Sequence, residues 1–419
     1  MLSVDDVLRV IGEKILPLEP VGESLLEGHG KVLAEAVVMQ EDSPPFDRAQ
    51  LDGYAVRSAD FHRGGLLEAF APGLRIIGQR DAGMTGGSAG ISPGECIGIN
   101  TGAMMPEGAD AVLMVEYSVR LEGDDVPRVR PTREVAAGYG VQKRASDARA
   151  GDKVLQAGVR LAAAELAVAA AAGAATLSVR KLRAGLLTTG DELIPVGATP
   201  QPGQIRNSNH LMLAALLRGF GTSDLLDLGS CGDEADRLRE LLGRGLSGSD
   251  LLLVSGGMSM GTRDLVPGLL QELGVVFYVE KVRMKPGKPL VIGEWEQEGR
   301  RCYVAGLPGN PVSGFVCFHR FVREMLVRLL QADEASGIGP RFVEAQCEGA
   351  LVDNGDREFY LPCRVSLKQG SVRAEPLAWK GSADLFTLSK AQGLIVRPVG
   401  AGASEPGAVV PVLLLGGVG

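Results

Sequence analysis

Two lysines and four glycine loops are the residues of this chain best suited to chemistry. Lys285 and Lys288 sit in Met284-Lys-Pro-Gly-Lys-Pro289, where the prolines limit where each ammonium group can go. Downstream, Val304-Ala-Gly-Leu-Pro-Gly-Asn-Pro-Val-Ser313 reads as strand, glycine loop and helix start. Glycine lets backbone amides approach an anion, and a helix N-terminus adds positive potential. Together these residues predict a pocket for an oxyanion. Thr188-Thr-Gly-Asp-Glu-Leu193 and Ser255-Gly-Gly-Met-Ser-Met-Gly261 repeat the pattern of small residues after an apolar run. A single glycine loop is usually only a turn; several in one segment argue for a site.

Carboxylates stand beside these loops at Asp191, Glu192, Asp233 and Asp264. Oxygen donors of this kind suit Mg2+, which takes carboxylate and phosphate together while keeping several waters. Helix N-capping is the alternative for Asp191, Asp233 and Asp264, because each precedes a helical stretch; Glu192 does not fit that alternative. The four histidines, His29, His62, His210 and His319, show no metal-ligand spacing and are expected to serve structure or face solvent. Neither a G-x-S-x-G elbow nor a P-loop occurs. Gly243-Arg-Gly-Leu-Ser-Gly248 matches a dinucleotide fingerprint as text, but it precedes a strand and reads as a helix-terminating turn.

The elements that must carry these loops follow from periodicity. Strands at 186–189, 222–228 and 251–255 alternate with helices at 209–219, 234–243 and 264–273. Alternation predicts a parallel sheet with helices on both faces and a ligand at the strand carboxyl ends. Two short runs, 290–293 and 302–305, add strands, and a long helical pattern covers 312–330. Upstream, helices are expected at 4–15, 22–40 and 161–172, with short strands between glycines from residue 51 to about 130. The last stretch, with runs at 342–347, 360–366, 393–398 and 408–415, predicts a second β-domain.

At 419 residues, 45% apolar and 22% charged, the chain is long enough for several cores. A net charge of -8 argues against nucleic acid as partner. Six cysteines without C-x-x-C spacing argue against a zinc ribbon, redox dithiol or disulfide scaffold, and fit a reducing cytoplasm. No signal-peptide pattern opens the chain, and no apolar run reaches the ~18 residues of a membrane span, so no membrane association is expected.

Six motifs in register, from Pro44-Pro-Phe-Asp-Arg-Ala-Gln-Leu-Asp-Gly-Tyr-Ala55 and Asn100-Thr-Gly-Ala-Met-Met-Pro-Glu-Gly-Ala-Asp-Ala-Val112 through the four loops above, resemble the molybdopterin molybdenumtransferase family, MoeA-type and like the E domain of gephyrin. The resemblance covers nearly the whole chain. It implies a multi-domain α/β plus β protein: a discontinuous, elongated N-terminal domain over 1–50 and 140–180, an inserted β-rich domain over 51–139, a molybdopterin-binding α/β domain with a parallel-rich sheet over 181–331, and a C-terminal β-barrel over 340–419. It also implies a cytoplasmic homodimer that inserts molybdate into adenylylated molybdopterin and releases AMP with the help of Mg2+. Its implied partners are the molybdopterin adenylyltransferase and the recipient molybdoenzymes.

By the same resemblance, Asp52, Thr101, Asp147, Glu192, Asp233 and Asp264 fall on catalytic positions, with Glu192 and Asp264 as the metal ligands. Lys281, Lys285, Pro308, Pro311, Ser313 and Ser382 fall on substrate-binding positions, the two serines as molybdate contacts, and Lys288 of the same turn is expected to bind substrate beside Lys285. The chain departs from the family in three places. Ala49-Gln-Leu-Asp52 stands for Ser-x-Met-Asp, Gly140-Val-Gln-Lys-Arg-Ala-Ser-Asp147 keeps the aspartate without the usual arginine, and Leu361 aligns with a family arginine. Arg364, three residues on, faces the opposite side of a strand. These departures admit two alternatives: a paralogue handling tungstate or another pterin, and a non-catalytic scaffold of the same fold.

Overall fold

The computed structural model describes residues 1–62, 73–84, 90–121, 126–258 and 265–416. Two compact units emerge. One holds Met1–Ala36, Gln156–Ala167 and Ala175–Gly419; the other holds Val37–Leu155 and Val168–Ala174.

The larger unit begins with helix α1, Val4–Lys14. Ser3 caps it reciprocally: its hydroxyl accepts from the Asp6 amide at 3.0 Å, and the Asp6 carboxylate accepts from the Ser3 amide at 3.2 Å. Such a cap contributes about 1 kcal/mol. Val4, Val7 and Ile11, at helical spacing, face the core.

A six-stranded sheet follows. Its strands are β1 (Leu182–Thr189), β2 (Thr222–Cys231), β3 (Leu251–Ser255), β4 (Val276–Lys281), β6 (Pro289–Gln297) and β7 (Arg300–Leu307), with the short β5 (Met284–Lys285) between β4 and β6 belonging elsewhere. The order is β2-β1-β3-β7-β6-β4. The first four strands run parallel, and β6 and β4 are antiparallel additions. The parallel core was predicted; the antiparallel edge arises because β6 and β7 are joined by a short turn, which permits only a hairpin.

Helices cover both faces of this sheet. On one face, α1, α2 (Ser208–Gly219) and the long helical segment after β7 pack on Ala184, Leu186, Leu253 and Ala305. On the other, α3 (Ala235–Gly248) and α4 (Leu265–Glu272) pack on Leu187, Leu252, Val254 and Val304. Alternate residues of each strand thus feed opposite cores. The segment after β7 consists of α5 (Pro311–Cys317), a π-turn at Phe318–Val322, and α6 (Arg323–Leu330). Buried Arg323 lies 4.2 Å from the Phe220 ring centroid and donates to the carbonyls of Gly337 and Ile338.

The C-terminal part closes into a barrel. Strands β8 (Arg341–Cys347), β9 (Glu358–Lys368), β10 (Ser371–Pro376), β11 (Gly393–Arg397) and β12 (Val409–Leu414) run in the order β9-β10-β8-β12-β11, and β11 returns to pair with β9. Strand β5 adds to the outside of β9, which sets Lys285 opposite Phe359. A short helix, α7 (Leu385–Leu388), precedes β11.

The smaller unit is β-rich, as expected. Its main sheet orders Ala111–Met114, Gly53–Val56, Glu95–Ile99, Leu74–Arg80, Arg128–Pro131 and Ser118–Leu121 around Val56, Leu74, Cys96, Leu113 and Val129.

Two sequence expectations fail. The helix predicted at 22–40 is instead strands at Pro20–Ser24, Val32–Leu33 and Val37–Val38 with a single 3-10 turn at Leu26–Gly28. Glycines interrupt any helical run there, Gly30 takes φ +79, and the β-branched valines suit extended backbone. The Gly243–Gly248 stretch is not a terminating turn but the last part of α3 itself. Gly245 permits the close approach, since a Cβ there would lie 2.7 Å from Leu252 Cδ1.

Candidate functional site

The loops after β1, β3 and β7 meet at the carboxyl ends of the parallel strands. They enclose a cavity of about 820 Å³ whose lining includes Thr189, Glu192, Asp233, Gly257, Pro308 and Pro311. Glycine is required at its floor. Gly256 has φ +95, and a Cβ there would collide with the Thr189 carbonyl; Gly257 has φ +61, with its would-be Cβ 2.8 Å from Thr189 Oγ1. Thr189 is only 3% exposed, and its hydroxyl has no hydrogen-bond partner among the described residues. A buried hydroxyl left open beside a glycine floor is a ready contact for a ligand oxygen.

The walls are held by residues that the spacing argument did not single out. Asn207 caps α2 by accepting from the His210 amide at 3.2 Å, and donates from Nδ2 to Thr188 Oγ1 at 2.7 Å. Asn209 Nδ2 donates to the Gly309 carbonyl at 2.6 Å, tying α2 to the loop after β7. Asn-Ser-Asn at a helix start was the available signal. Asp191 Oδ1 accepts from the Asp233 amide at 2.8 Å, which joins the loops after β1 and β2. The capping alternative fails for both residues. Asp191 leads into the Leu193–Ile194 strand, and the N-cap of α3 is Glu234, without a side-chain bond.

A second cavity of about 530 Å³ adjoins the first, sharing Pro289 and Asn310 with it. Its lining brings together Lys285, Lys288, Arg357, Ser313 and Ser382, with no carboxylate among the lining residues. The turn carrying the lysines is pinned from below, where Cys317 Sγ donates to the Gly287 carbonyl at 3.6 Å. Lys285 Nζ lies 5.0 Å from the Phe359 ring centroid, and Trp379 stacks at a tilt 6.1 Å from Phe359. Ser313 is buried on the first turn of α5, and the Val312 amide donates to the Ser382 carbonyl at 3.0 Å, which seats the Ser382 loop on that helix. Arg357 was missed by sequence reading; it sits in the bend just before β9 and lines the cavity together with Phe359.

Other expected residues lie apart from these cavities. Lys281 ends β4 opposite Pro289 and lines neither cavity. Asp264 lies outside the described residues, as do Ser259, Met260 and Gly261 of its motif. In the smaller unit, Asp52 Oδ1 accepts from the Thr101 amide at 2.7 Å and its hydroxyl at 2.9 Å. These bonds, the amide's first, hold the Asp52 carboxyl below the usual carboxylate range. Asp147 Oδ1 accepts from Gln142 Nε2 at 2.8 Å and from the Ser146 hydroxyl at 3.3 Å.

Leu361 and Arg364 resolve one departure. Leu361 packs against the barrel core, whereas Arg364 faces outward, in register with Glu375 and 3.5 Å from its carboxylate. Arg364 is therefore no part of the cationic cavity. Among the histidines, His319 is fully buried against Phe315 at 4.4 Å between centroids, and burial followed by the Arg323 charge pushes its pKa down to about 3. All six cysteines are free and buried.

A mostly parallel sheet with a cavity at its strand ends, beside a second cavity lined with cationic side chains and joined to a β-barrel, defines a multi-domain α/β plus β protein. Residues 2–173 match the MoeA N-terminal region (domain I and II), 185–328 a probable molybdopterin binding domain, and 344–415 the MoeA C-terminal region (domain IV). A molybdopterin molybdenumtransferase of Nostoc sp. is 32% identical over 99% of this chain and 94% of its own length, and one of Bacillus subtilis is 29% identical over the same shares. A molybdopterin biosynthesis MoeA protein from Pyrococcus horikoshii superposes over 100% of both chains with a TM-score of 0.80 at 29% identity. The chain belongs to the MoeA-type molybdopterin molybdenumtransferase family.

No helix among the described residues is long and apolar enough to cross a membrane.

Proposed function

We propose that this chain is a molybdopterin molybdenumtransferase, which inserts molybdate into adenylylated molybdopterin and releases AMP during molybdenum cofactor biosynthesis. The observation that carries this reading is the adjacency of two cavities joined at Pro289 and Asn310, one with Glu192, Asp233 and Arg206 in its lining and the other with Lys285, Lys288 and Arg357. The strand-end cavity suits the phosphate-bearing pterin: its glycine floor admits backbone amides, and Thr189 offers a buried hydroxyl. The neighbouring cavity suits molybdate. Lys285, Lys288 and Arg357 offset a dianion, while the hydroxyls of Ser313 and Ser382 can donate to its oxygens.

Among the described residues no group of three acidic, histidine or cysteine side chains forms a metal cluster. Mg2+ nevertheless fits, because it takes one or two carboxylates together with substrate phosphate and water. Glu192 and Asp233 line the same cavity and supply hard oxygen donors, with Asp264 proposed as the further ligand. The bound ion would supply phosphate charge neutralisation at the bond that releases AMP.

The proposed assembly is a cytoplasmic homodimer in which Asp52 and Thr101 serve the partner copy's reaction. A molybdopterin adenylyltransferase would supply the substrate, and recipient molybdoenzymes would take the product. Purified protein should release AMP from adenylylated molybdopterin only when molybdate is present, and should reconstitute an apo-molybdoenzyme; AMP release indifferent to molybdate would reject the reading. Mixing inactive Asp52→Ala with inactive Glu192→Ala chains should restore activity to about a quarter of wild type, since half of randomly paired dimers are mixed and half of their sites intact. No recovery after proven subunit exchange would show that the two residues act within one chain.

A further inference from the structure

Phe386 is 83% exposed, yet it lines the strand-end cavity. It is not exposed for want of a firm scaffold. Its helix, α7, is capped by the Asp384 carboxylate, which accepts from the Thr387 amide at 3.1 Å and the Lys380 amide at 3.0 Å. Leu385 and Leu388, three residues apart, anchor the helix to the core of the larger unit and leave Phe386 turned outward.

A lone exposed aromatic would need no explanation, but this one has company. Ile205 is 56% exposed and lines the same cavity. It is fixed beside the acidic loop: its strand pairs with Leu193–Ile194, and its amide donates to the Glu192 carbonyl at 2.8 Å. The cavity is therefore bipartite. Thr189, Glu192 and Asp233 offer oxygen donors, whereas Ile205, Leu385 and Phe386 offer apolar surface.

We propose that Phe386 is a stacking platform for a planar nitrogen heterocycle of the ligand, with Ile205 as its apolar neighbour. The proposal rests on the transferase reading and deepens it, because adenylylated molybdopterin carries two such rings, adenine and pterin. Stacking on an aromatic face tolerates either ring, since each presents a π-surface.

The test is a binding titration of the full chain with AMP by calorimetry and with neopterin monophosphate by fluorescence anisotropy. Wild type, Phe386→Ala, Phe386→Trp and the surface control Leu26→Ala are compared. Phe386→Ala should weaken one probe about tenfold, Phe386→Trp should restore it, and Leu26→Ala should match wild type. The probe that weakens identifies the ring. Because Phe386 is so exposed, its alanine variant should unfold at the wild-type temperature. Equal affinity of wild type and Phe386→Ala for both probes overturns the stacking role while leaving the transferase reading in place. A wild type that binds neither probe, and releases no AMP in response to molybdate, overturns both.

Discussion

The two adjoining cavities of the larger unit differ in how they acquire their charge. The strand-end cavity draws its carboxylates, Glu192 and Asp233, from loops of a single sheet, while α7 adds Leu385 and Phe386 to its wall. The cationic cavity draws Lys285 and Lys288 from a turn between sheet strands, Ser313 from α5, and Arg357 and Ser382 from the barrel region. Opposite charges at short range must otherwise pair and cancel; here separate elements hold them in neighbouring spaces that meet at Pro289 and Asn310. A cation and an oxyanion can then be held side by side in a chain whose net charge is -8.

Removing charge from each cavity should sharpen this contrast. The largest effect is expected from Glu192→Gln, which keeps the shape but removes a ligand charge; transfer should fall roughly a hundredfold, with an unchanged circular dichroism spectrum, and addition of Mg2+ should recover part of it. Wild-type reconstitution rates would break the assignment of this cavity to a metal. Lys285→Ala should act on the other side. The molybdate concentration for half-maximal insertion should rise about tenfold, the scale of one lost charge-assisted contact, with little change in melting temperature; a large melting shift at normal molybdate dependence would make this lysine structural. The smallest and most discriminating comparison lies on one strand or beside it. Arg357→Ala should raise the same molybdate requirement a few-fold, on the order of one partly solvated hydrogen bond, whereas Arg364→Ala should change it by less than twofold, as expected for an exposed pair with Glu375. Equal effects would mean that the guanidinium acts through general charge and not through the cavity.

Much of this site was legible because it is written in loops. Glycine and proline dictate local backbone, so Thr188–Leu193, the Lys285–Pro289 turn and the Pro308–Pro311 loop announced themselves, and helix periodicity placed the elements between them. The failures share a cause. Residues 22–40 carry apolar residues at spacings compatible with a helix, but pairing with Thr176–Arg180, more than a hundred positions along the chain, decides for strand. Gly243–Gly248 looks like punctuation, and only contact with Leu252 shows that glycine there serves helix-to-sheet packing.

By itself, the sequence determined the family, the alternation that builds a parallel sheet, and the glycine loops, lysines and carboxylates that line the two cavities. These follow from local rules of period, turn chemistry and charge. Only the tertiary structure decided which charges share a space. It placed Arg357 in the cationic cavity and turned Arg364 away to Glu375, set Lys281 outside both cavities, and left Thr189 Oγ1 open above its glycine floor. Strand register and barrel closure fix such choices, and both depend on partners far apart in sequence, where no local pattern carries the information.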